Sequence, residues 1–553
     1  MQHYIAGIDT GGTCTDAVLI NKETEEVVVT AKVPTTHYDL SQGISAVLEK
    51  IIKKSGVSAD QIRATSISTT LATNSVVEKK GARVALLVIG YVKHFKVPVT
   101  AVVYFKGGHT IQGSEEEPLE LEYLIETVEK LKPEVDAYAV CAAMSMKNPA
   151  HELVAEKAIS MIDPKPVFCS YRASEQAGMH ERAATAALHA KLMPVMQSFT
   201  ASVKKSMTSL QLSSPLSIVT GNGGTIEPEE AVKESGKTIA SGPACTALYG
   251  AHYTEGTCLV IDVGGTTTDL AMIENGQPVL SAGGCSIDSW TTHMESVDMY
   301  TGGIGGDSLV EFHRDGSMSV GPNRVIPLAM SSDTPAPADW IGSEYASRCI
   351  ALAQDIPDVT ELPGQPILKI LRERGALTLS SLMQQTGLSG IPLDRQLEIL
   401  NRKQLIQETG FTPTDALHVL NRAHFGNREA ATEGAEKLAR NVSMPTDQLC
   451  KMVVEETENR IRDLAIKYII TRSWGSSLSG FLSSHGDNPY LKTDFSLKVP
   501  LIGIGAAATF FLPGVARKLS TTVSFPPFSE VGNAVGAGWT GLKRMASAKD
   551  HAS

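Results

Sequence analysis

The stretch GIDTGGTCTDAVLI at Gly7–Ile20 decides how this chain is read, because VIDVGGTTTDLAMI at Val260–Ile273 repeats it. Aligning Asp9 with Asp262 places Gly11-Gly12 on Gly264-Gly265, Thr15 on Thr268 and Asp16 on Asp269. In each copy an apolar run (YIAGID, CLVIDV) precedes the glycines and a second (DAVLI, DLAMI) follows them, ahead of a polar turn. Each glycine turn therefore joins two strands of a hairpin. In a P-loop or a dinucleotide-binding loop the glycines lead into a helix, whose N-terminus holds the phosphate. Here another strand follows, and G-x-x-x-x-G-K-[ST] is absent, so the Walker reading fails.

Two glycines flanked by threonines expose backbone N–H groups and hydroxyls on one concave side, a place for phosphate oxygens. The aspartate ending the first strand of each copy, Asp9 or Asp262, repels phosphate directly. It requires a divalent cation in between, for which Mg²⁺ with retained waters is suited. The expectation is one hairpin in each of two duplicated domains, with one polyphosphate gripped from both sides.

Bulk properties narrow the class. At 553 residues the chain has room for two to four domains. Its 42% hydrophobic and 20% charged residues are those of an ordinary globular protein. Lys+Arg 49 against Asp+Glu 60, a net charge of −11, disfavours broad nucleic-acid or anionic-membrane binding. The cysteines Cys14, Cys141, Cys169, Cys245, Cys258, Cys285, Cys349 and Cys450 form no C-x-x-C pair, which predicts free thiols in a reducing cytoplasm. Cys14 is read as a packing residue, since nothing nearby in sequence activates a thiolate. The apolar run Val499–Ala516 is broken by two prolines and three glycines and reads as strand, loop and helix rather than a membrane span.

Between the repeats, strand and helix patterns alternate, which predicts an α/β fold. After the second repeat, TGGIGGDS (Thr301–Ser308) is a further glycine-rich turn, and GIGAAATFFLPG (Gly503–Gly514) is a glycine-rich strand end before a helix, suited to packing against adenine. The expected domains are 1–200, then 201–334 with 489–545, and a mostly helical insertion over 335–488. Within the insertion, 366–409 shows three helical segments and a short apolar piece, consistent with a winged helix. Its second helix carries no Lys or Arg for phosphates, so nucleic-acid binding is not expected.

The motifs together resemble one family. GIDTGGTCTDAV, TTLATNSVVE (Thr69–Glu78), MSMKNPAHE (Met144–Glu152), HERAATAALHAKLMP (His180–Pro194), SGPA (Ser241–Ala244), DVGGTTTDLA (Asp262–Ala271), TGGIGGDS and TPTDALHVL (Thr412–Leu420) occur in the family's order. The chain resembles the hydantoinase/oxoprolinase family, of the hydantoinase A (N-methylhydantoinase A-like) type. That type lies within the actin, sugar-kinase and heat-shock-chaperone ATPase superfamily. The resemblance implies duplicated actin-like (ribonuclease H-like) domains, ATP and Mg²⁺, and ATP-dependent opening of a cyclic amide such as a hydantoin or 5-oxoproline.

Carried over position by position, the resemblance implies that Asp9 and Asp262 organise the metal. It places Gly11, Gly12, Thr13, Thr15, Gly264, Gly265, Thr266 and Thr268 around the phosphates, with Asp16 and Asp269 beside them. Gly303, Gly305, Gly306 and Asp307 border the nucleotide, and Gly503 and Gly505 lie near adenine. Thr70, Asn74, His151 and Arg182 face the substrate, and Glu152 or Glu181 serves as base for the attacking water. A second metal on His293 and Asp298, with Cys141 or His151, is the weakest of these expectations, since no close spacing supports it. Cys14 stands where the family commonly has phenylalanine. No hydantoinase B-like segment is present, so a B-type subunit in a homo- or hetero-oligomer is the implied partner. Two other readings stay open: a small-molecule kinase of the same superfamily, and a nucleotide-responsive regulator or assembly chaperone.

Overall fold

In the computed structural model, residues 2–12, 14–36, 40–77, 81–90, 94, 96–173, 178–281, 286–287, 290–313, 317–331, 334–341, 348–353, 365–402, 405–474 and 494–550 are described. The chain divides into two compact units, one of Met1–His252, Gln277–Asp298 and Val531–Ser553, the other of Tyr253–Gly276 and Met299–Glu530. The units part at other points than the expected domain boundaries. Segment 201–252 and the C-terminal helix Gly532–Asp550 belong with the first hairpin, because their strands and helices complete its sheet.

In the first unit, β1 (Tyr4–Thr10), β2 (Cys14–Asn21) and β3 (Val27–Pro34) are antiparallel neighbours. Helix α1 (Leu40–Ser55) leads to β4 (Ile62–Thr69), which pairs in parallel with β1, and α2 (Leu71–Val77) follows at once. Four parallel strands then form a separate sheet in the order β6-β5-β7-β8: β5 (Val84–Ile89), β6 (Ala101–Phe105), β7 (Ala137–Ala142) and β8 (Val167–Cys169). Strands β5 (VALLVI) and β7 (AYAVCA) are buried throughout, as parallel strands covered on both faces must be. Helices α3 (Leu121–Leu131), α4 (Ala150–Ile162) and the long α5 (Met179–Ser209) pack on this sheet or on its edges. The chain then returns to the first sheet through β9 (Leu216–Val219) and β10 (Thr225–Ile226), giving the order β10-β9-β4-β1-β2-β3. Helix α6 (Ser241–His252) and the C-terminal helix pack together against it. The approach of the C-terminal helix to β1 requires glycine: a Cβ on Gly7 would overlap the Ala534 carbonyl oxygen and the Gly538 backbone.

The second unit repeats this topology. Strands β11 (Cys258–Val263) and β12 (Thr268–Glu274) form the antiparallel hairpin, and β13 (Met299–Gly302) flanks β12. Strand β14 (Leu501–Ile504) runs parallel to β11, with β15 (Val523–Ser524) parallel beyond it. The order β13-β12-β11-β14-β15 matches β3-β2-β1-β4-β9, the ribonuclease H-like arrangement, so the duplication seen in the motif extends to the sheet.

The insertion is less purely helical than expected. The strand Arg348–Leu352 sits between Leu377–Thr378 and Ile406–Gly410, antiparallel to both. Helices α7 (Gln365–Arg374), α8 (Leu379–Thr386) and α9 (Ile391–Arg402) close over it around Ile350, Leu368, Leu371, Leu382, Leu397 and Leu400. This is a winged-helix-like core whose central strand comes before the first helix. Ile406–Gly410 passes directly into the capped helix Pro413–Val419, so no wing hairpin follows it. The exposed positions of α9 include Asp394, Arg395 and Glu398 and form no basic track. Among the described residues no helix is long and apolar enough to cross a membrane. No disulfide joins the seven described cysteines, and Cys285 lies outside the described residues.

Candidate functional site: two glycine turns with their acids

The two turns close identically. Asp9 stands opposite Asp16 and the Gly11 N–H donates to the Cys14 carbonyl at 3.0 Å; Asp262 stands opposite Asp269 and the Gly264 N–H donates to the Thr267 carbonyl at 2.9 Å. Each turn thus carries a directly paired couple of carboxylates at its base, and such like-charge pairing across strands is unfavourable unless something compensates it.

In the first unit, Asp9 is only 4% exposed. Ser68 Oγ donates to its Oδ1 at 2.6 Å and Asn533 Nδ2 to its Oδ2 at 3.4 Å. Burial pushes its carboxyl up to about 7 against the Ser68 hydrogen bond, and the neighbouring Asp16 adds to the rise. Asp16 is held by Lys32 Nζ at 2.7 Å, from the position directly across on β3. Thr35 Oγ1 donates to the Gly11 carbonyl at 2.9 Å and lies 3.0 Å from Thr15 Oγ1, which fixes the base of the turn.

Two helix N-termini approach Asp9. In the first turn of α6, a Cβ on Gly242 would lie 3.6 Å from Asp9 Oδ1, and Ser241 Oγ donates to the Thr69 carbonyl at 2.9 Å. The C-terminal helix brings Asn533 from its own first turn, with Asn533 Oδ1 accepting from Thr246. Helix N-termini present unsatisfied N–H groups and a positive dipole end, so this is anion-binding ground. Thr70 and Asn74 border the same turn. Asn74 Nδ2 donates to Thr70 Oγ1 at 3.2 Å and sits 3.2 Å from where a Gly12 Cβ would stand. Thr10 Oγ1 is buried with no hydrogen-bond partner among the described residues. The Asp9 carboxylate and the Thr10 hydroxyl are hard-oxygen groups that suit Mg²⁺ with phosphate and water completing its shell. Thr13 lies outside the described residues.

In the second unit the TGGIGGDS segment lies directly on the turn. Gly306 N–H donates to the Gly264 carbonyl at 3.0 Å and Asp307 N–H to the Gly265 carbonyl at 2.8 Å. A Cβ on Gly305 would overlap those carbonyls, and one on Gly265 would overlap the Asp307 carboxylate. Thr268 Oγ1 donates to the Ile304 carbonyl at 2.7 Å, and Thr414 Oγ1 to the Gly306 carbonyl at 2.8 Å. Gly505, at φ +92°, adjoins the acid itself: a Cβ there would overlap Asp262 Oδ1. Among the described residues the Gly265 and Thr266 N–H groups make no backbone–backbone hydrogen bond. Burial pushes Asp269 up to about 6 against hydrogen bonds with Thr301 and Thr267. No lysine holds it, because Thr301 occupies the place across the strand that Lys32 fills in the first hairpin.

Several expected roles are corrected. Gly503 is covered by Phe525 and Leu512, so it is a packing glycine, and Gly303 packs on Pro322. Glu152 is buried and fully committed: it accepts from Ala142 N–H at 2.7 Å, Ser170 Oγ at 2.6 Å and Tyr171 N–H at 2.9 Å. A carboxylate so engaged is a structural anchor and not a base. Arg182, 1% exposed, shares that network, donating to Ser145 Oγ at 2.5 Å, Ser170 Oγ at 3.1 Å and the Ala142 carbonyl at 3.2 Å. His151 Nδ1 accepts from Gly108 N–H at 2.8 Å, which leaves Nε2 to donate to Glu115 at 2.9 Å; it ties down a loop. With Cys141 donating to the Met179 carbonyl, the second metal loses its ligands, and no group of three or more His, Cys, Asp or Glu among the described residues is placed to hold a metal. Glu181 differs. It is half-buried, makes no hydrogen bond through its carboxylate among the described residues, and adjoins His293 at Gly178.

Ser68, Lys32, Asn533 and Ser241 escaped the sequence reading. SGPA was visible as a family motif, but nothing in one dimension directs the helix that starts there, or the C-terminal helix, at Asp9.

Two hairpin-centred sheets of identical strand order, each ending in an acid and an open glycine turn, define a duplicated actin-like α/β protein. Residues 5–162 match the family profile for the hydantoinase/oxoprolinase N-terminal region and residues 182–360 that for hydantoinase/oxoprolinase, and the chain belongs to this family. It is similar to the caprolactamase subunit alpha of Pseudomonas jessenii, 25% identical over 58% of this chain and 50% of that one. It is also similar to 5-oxoprolinase 1 of Arabidopsis thaliana, 26% identical over 58% of this chain and 29% of that one. The chain thus spans half the length or less of these curated relatives. Among solved structures, nucleotide-free acetone carboxylase shares the fold at TM-score 0.68 and 16% identity, covering 97% of this chain and 70% of that one.

Proposed function

We propose that this chain is the ATP-using component of an enzyme that opens a cyclic amide, the class to which the related caprolactamase and 5-oxoprolinase point by name. The observation that supports it most is the repeated carboxylate-and-turn unit, with two helix N-termini aimed at Asp9. In this reading Asp9 and Asp262 organise Mg²⁺, while the Gly11–Gly12 and Gly264–Thr266 turns take the phosphates.

An amide carbonyl is a poor electrophile and its nitrogen a poor leaving group. Transfer of the γ-phosphoryl of ATP to the carbonyl oxygen breaks the bond to ADP and forms an imidate phosphate; a first water adds to its carbon, the ring C–N bond breaks with a proton taken up by the departing amine, and a second water cleaves the resulting acyl phosphate to free phosphate and the opened amino acid. The protein contributes position and charge neutralisation. Glu181 is the proposed base for the water, and a hydantoinase B-type subunit the proposed partner for the overall hydrolysis.

The test is incubation with ATP, Mg²⁺ and a panel of lactams and hydantoins, with and without a B-type subunit. Lactam-stimulated release of ADP and free phosphate with ring opening supports the reading. Phosphate retained on the small molecule would make the chain a kinase instead, and nucleotide binding without any turnover would favour a regulator.

A further inference from the structure

The strand Met318–Arg324 pairs antiparallel with Ser308–Phe312, and its last residue, Arg324, stands opposite Ser308. Val325 N–H donates to the Asp307 carbonyl at 3.0 Å, which anchors this end of the strand to the glycine loop. The Arg324 guanidinium is thereby brought beside the Asp307 carboxylate, with Nε 3.7 Å from Oδ2. That same carboxylate abuts Gly265 in the second turn. Turn, acid and guanidinium therefore stand in a row within one unit.

The contact is a loose one. At 3.7 Å it is an ion pair without a hydrogen bond, and Arg324 Nε is buried with no hydrogen-bond partner among the described residues. The side chain keeps about a third of its surface exposed (35%), enough to meet a ligand. In the first hairpin Lys32 is engaged by the acid of the hairpin itself, at 2.7 Å from Asp16, whereas Arg324 comes from a separate strand and faces Asp307. Guanidinium matches phosphate through two parallel N–H donors, which an ammonium does not. An acid held against a phosphate turn also repels the anion unless a cation stands beside it.

We propose that Arg324 contacts a phosphate oxygen of the nucleotide at the second glycine turn, offsetting the charge of Asp307 and supplying a bidentate donor that the turn itself lacks. This rests on the ATP reading of the hairpins and adds a residue to it.

The test uses the full chain with Mg²⁺ and a ladder of adenosine, AMP, ADP and a non-hydrolysable ATP analogue, each titrated calorimetrically into wild type, Arg324→Gln and Arg324→Lys. The expected result for Arg324→Gln is unchanged adenosine affinity and a loss that grows along the ladder, reaching about tenfold or more for the ATP analogue. Arg324→Lys recovers part of that loss by restoring charge without the fork. Thermal unfolding of both variants in the absence of ligand confirms that they fold. Arg324→Gln binding the analogue as wild type does, or losing affinity equally for all four ligands, overturns the proposal, because the second pattern is that of a residue which only shapes the loop. Failure of wild type to bind the analogue at all overturns the ATP reading and the proposal together, whereas tight wild-type binding with an unaffected variant overturns the proposal alone.

Discussion

Replacing Asp9 by Asn should stabilise the metal-free protein while abolishing its response to Mg²⁺ and nucleotide. Asp9 sits at 4% exposure with its carboxyl pushed from 3.8 to about 7, chiefly by burial. Between those two values the folded chain keeps a proton that the unfolded chain has released. Folded stability therefore falls as pH rises from about 4 to about 7 and is flat above. At about 1.4 kcal/mol per unit the ionised acid costs about 4 kcal/mol above pH 7 and about 1–2 kcal/mol at pH 5. The amide oxygen of Asn keeps the hydrogen bond from Ser68, but its nitrogen meets the Asn533 Nδ2 donor and forfeits that contact. That loss costs about 1 kcal/mol. The net expectation is a gain of about 3 kcal/mol at pH 8 that shrinks to near zero at pH 5. Urea unfolding in EDTA at both pH values, with hydrogen exchange of the β1 amides as a local probe, measures it. Equal stability of variant and wild type at pH 8, or a gain that does not shrink at pH 5, would refute the reasoning.

Other positions separate anchors from ligand-facing groups. Glu152→Gln leaves one of three donors to that carboxylate unmet and should cost about 1–3 kcal/mol in urea unfolding, with turnover per folded molecule retained; a specific loss of turnover at unchanged stability would restore Glu152 as the base. Gly505→Ala places a side chain at φ +92° on the Asp262 carboxylate, so nucleotide affinity should fall by about tenfold or more together with a strain cost of about 1–3 kcal/mol, seen in titration and melting. Lys32→Met removes the cation from the buried Asp16, so stability should fall by about 1–3 kcal/mol above pH 5 while the Mg²⁺ concentration needed for half-maximal nucleotide binding shifts measurably. In a gel-shift assay the α9 face, with Asp394 and Glu398 beside Arg395, should retain neither duplex DNA nor RNA.

The hairpins and the exclusion of a Walker loop were legible because short apolar runs, glycine turns and strand-ending aspartates are local features. The helical core of 366–409 was legible for the same reason, as in the spacing of Leu393, Leu397 and Leu400. Its missing wing was not, since that depends on Ile406–Gly410 pairing with a strand more than fifty residues earlier.

What the amino-acid order determined by itself is the duplicated acid-and-glycine turn and, through its context, the family. The partners of those turns were decided only by the tertiary structure. Helix starts at Ser241 and Gly532 converge on Asp9, Arg324 reaches Asp307, and Glu152 and Arg182, which the family resemblance offers as a base and a substrate-facing group, close on each other through Ser170. The physical reason is desolvation. Whether a carboxylate or guanidinium is an anchor or a working group depends on which donors and acceptors surround it once water is removed, and those come from other segments, from about a dozen to more than five hundred residues away.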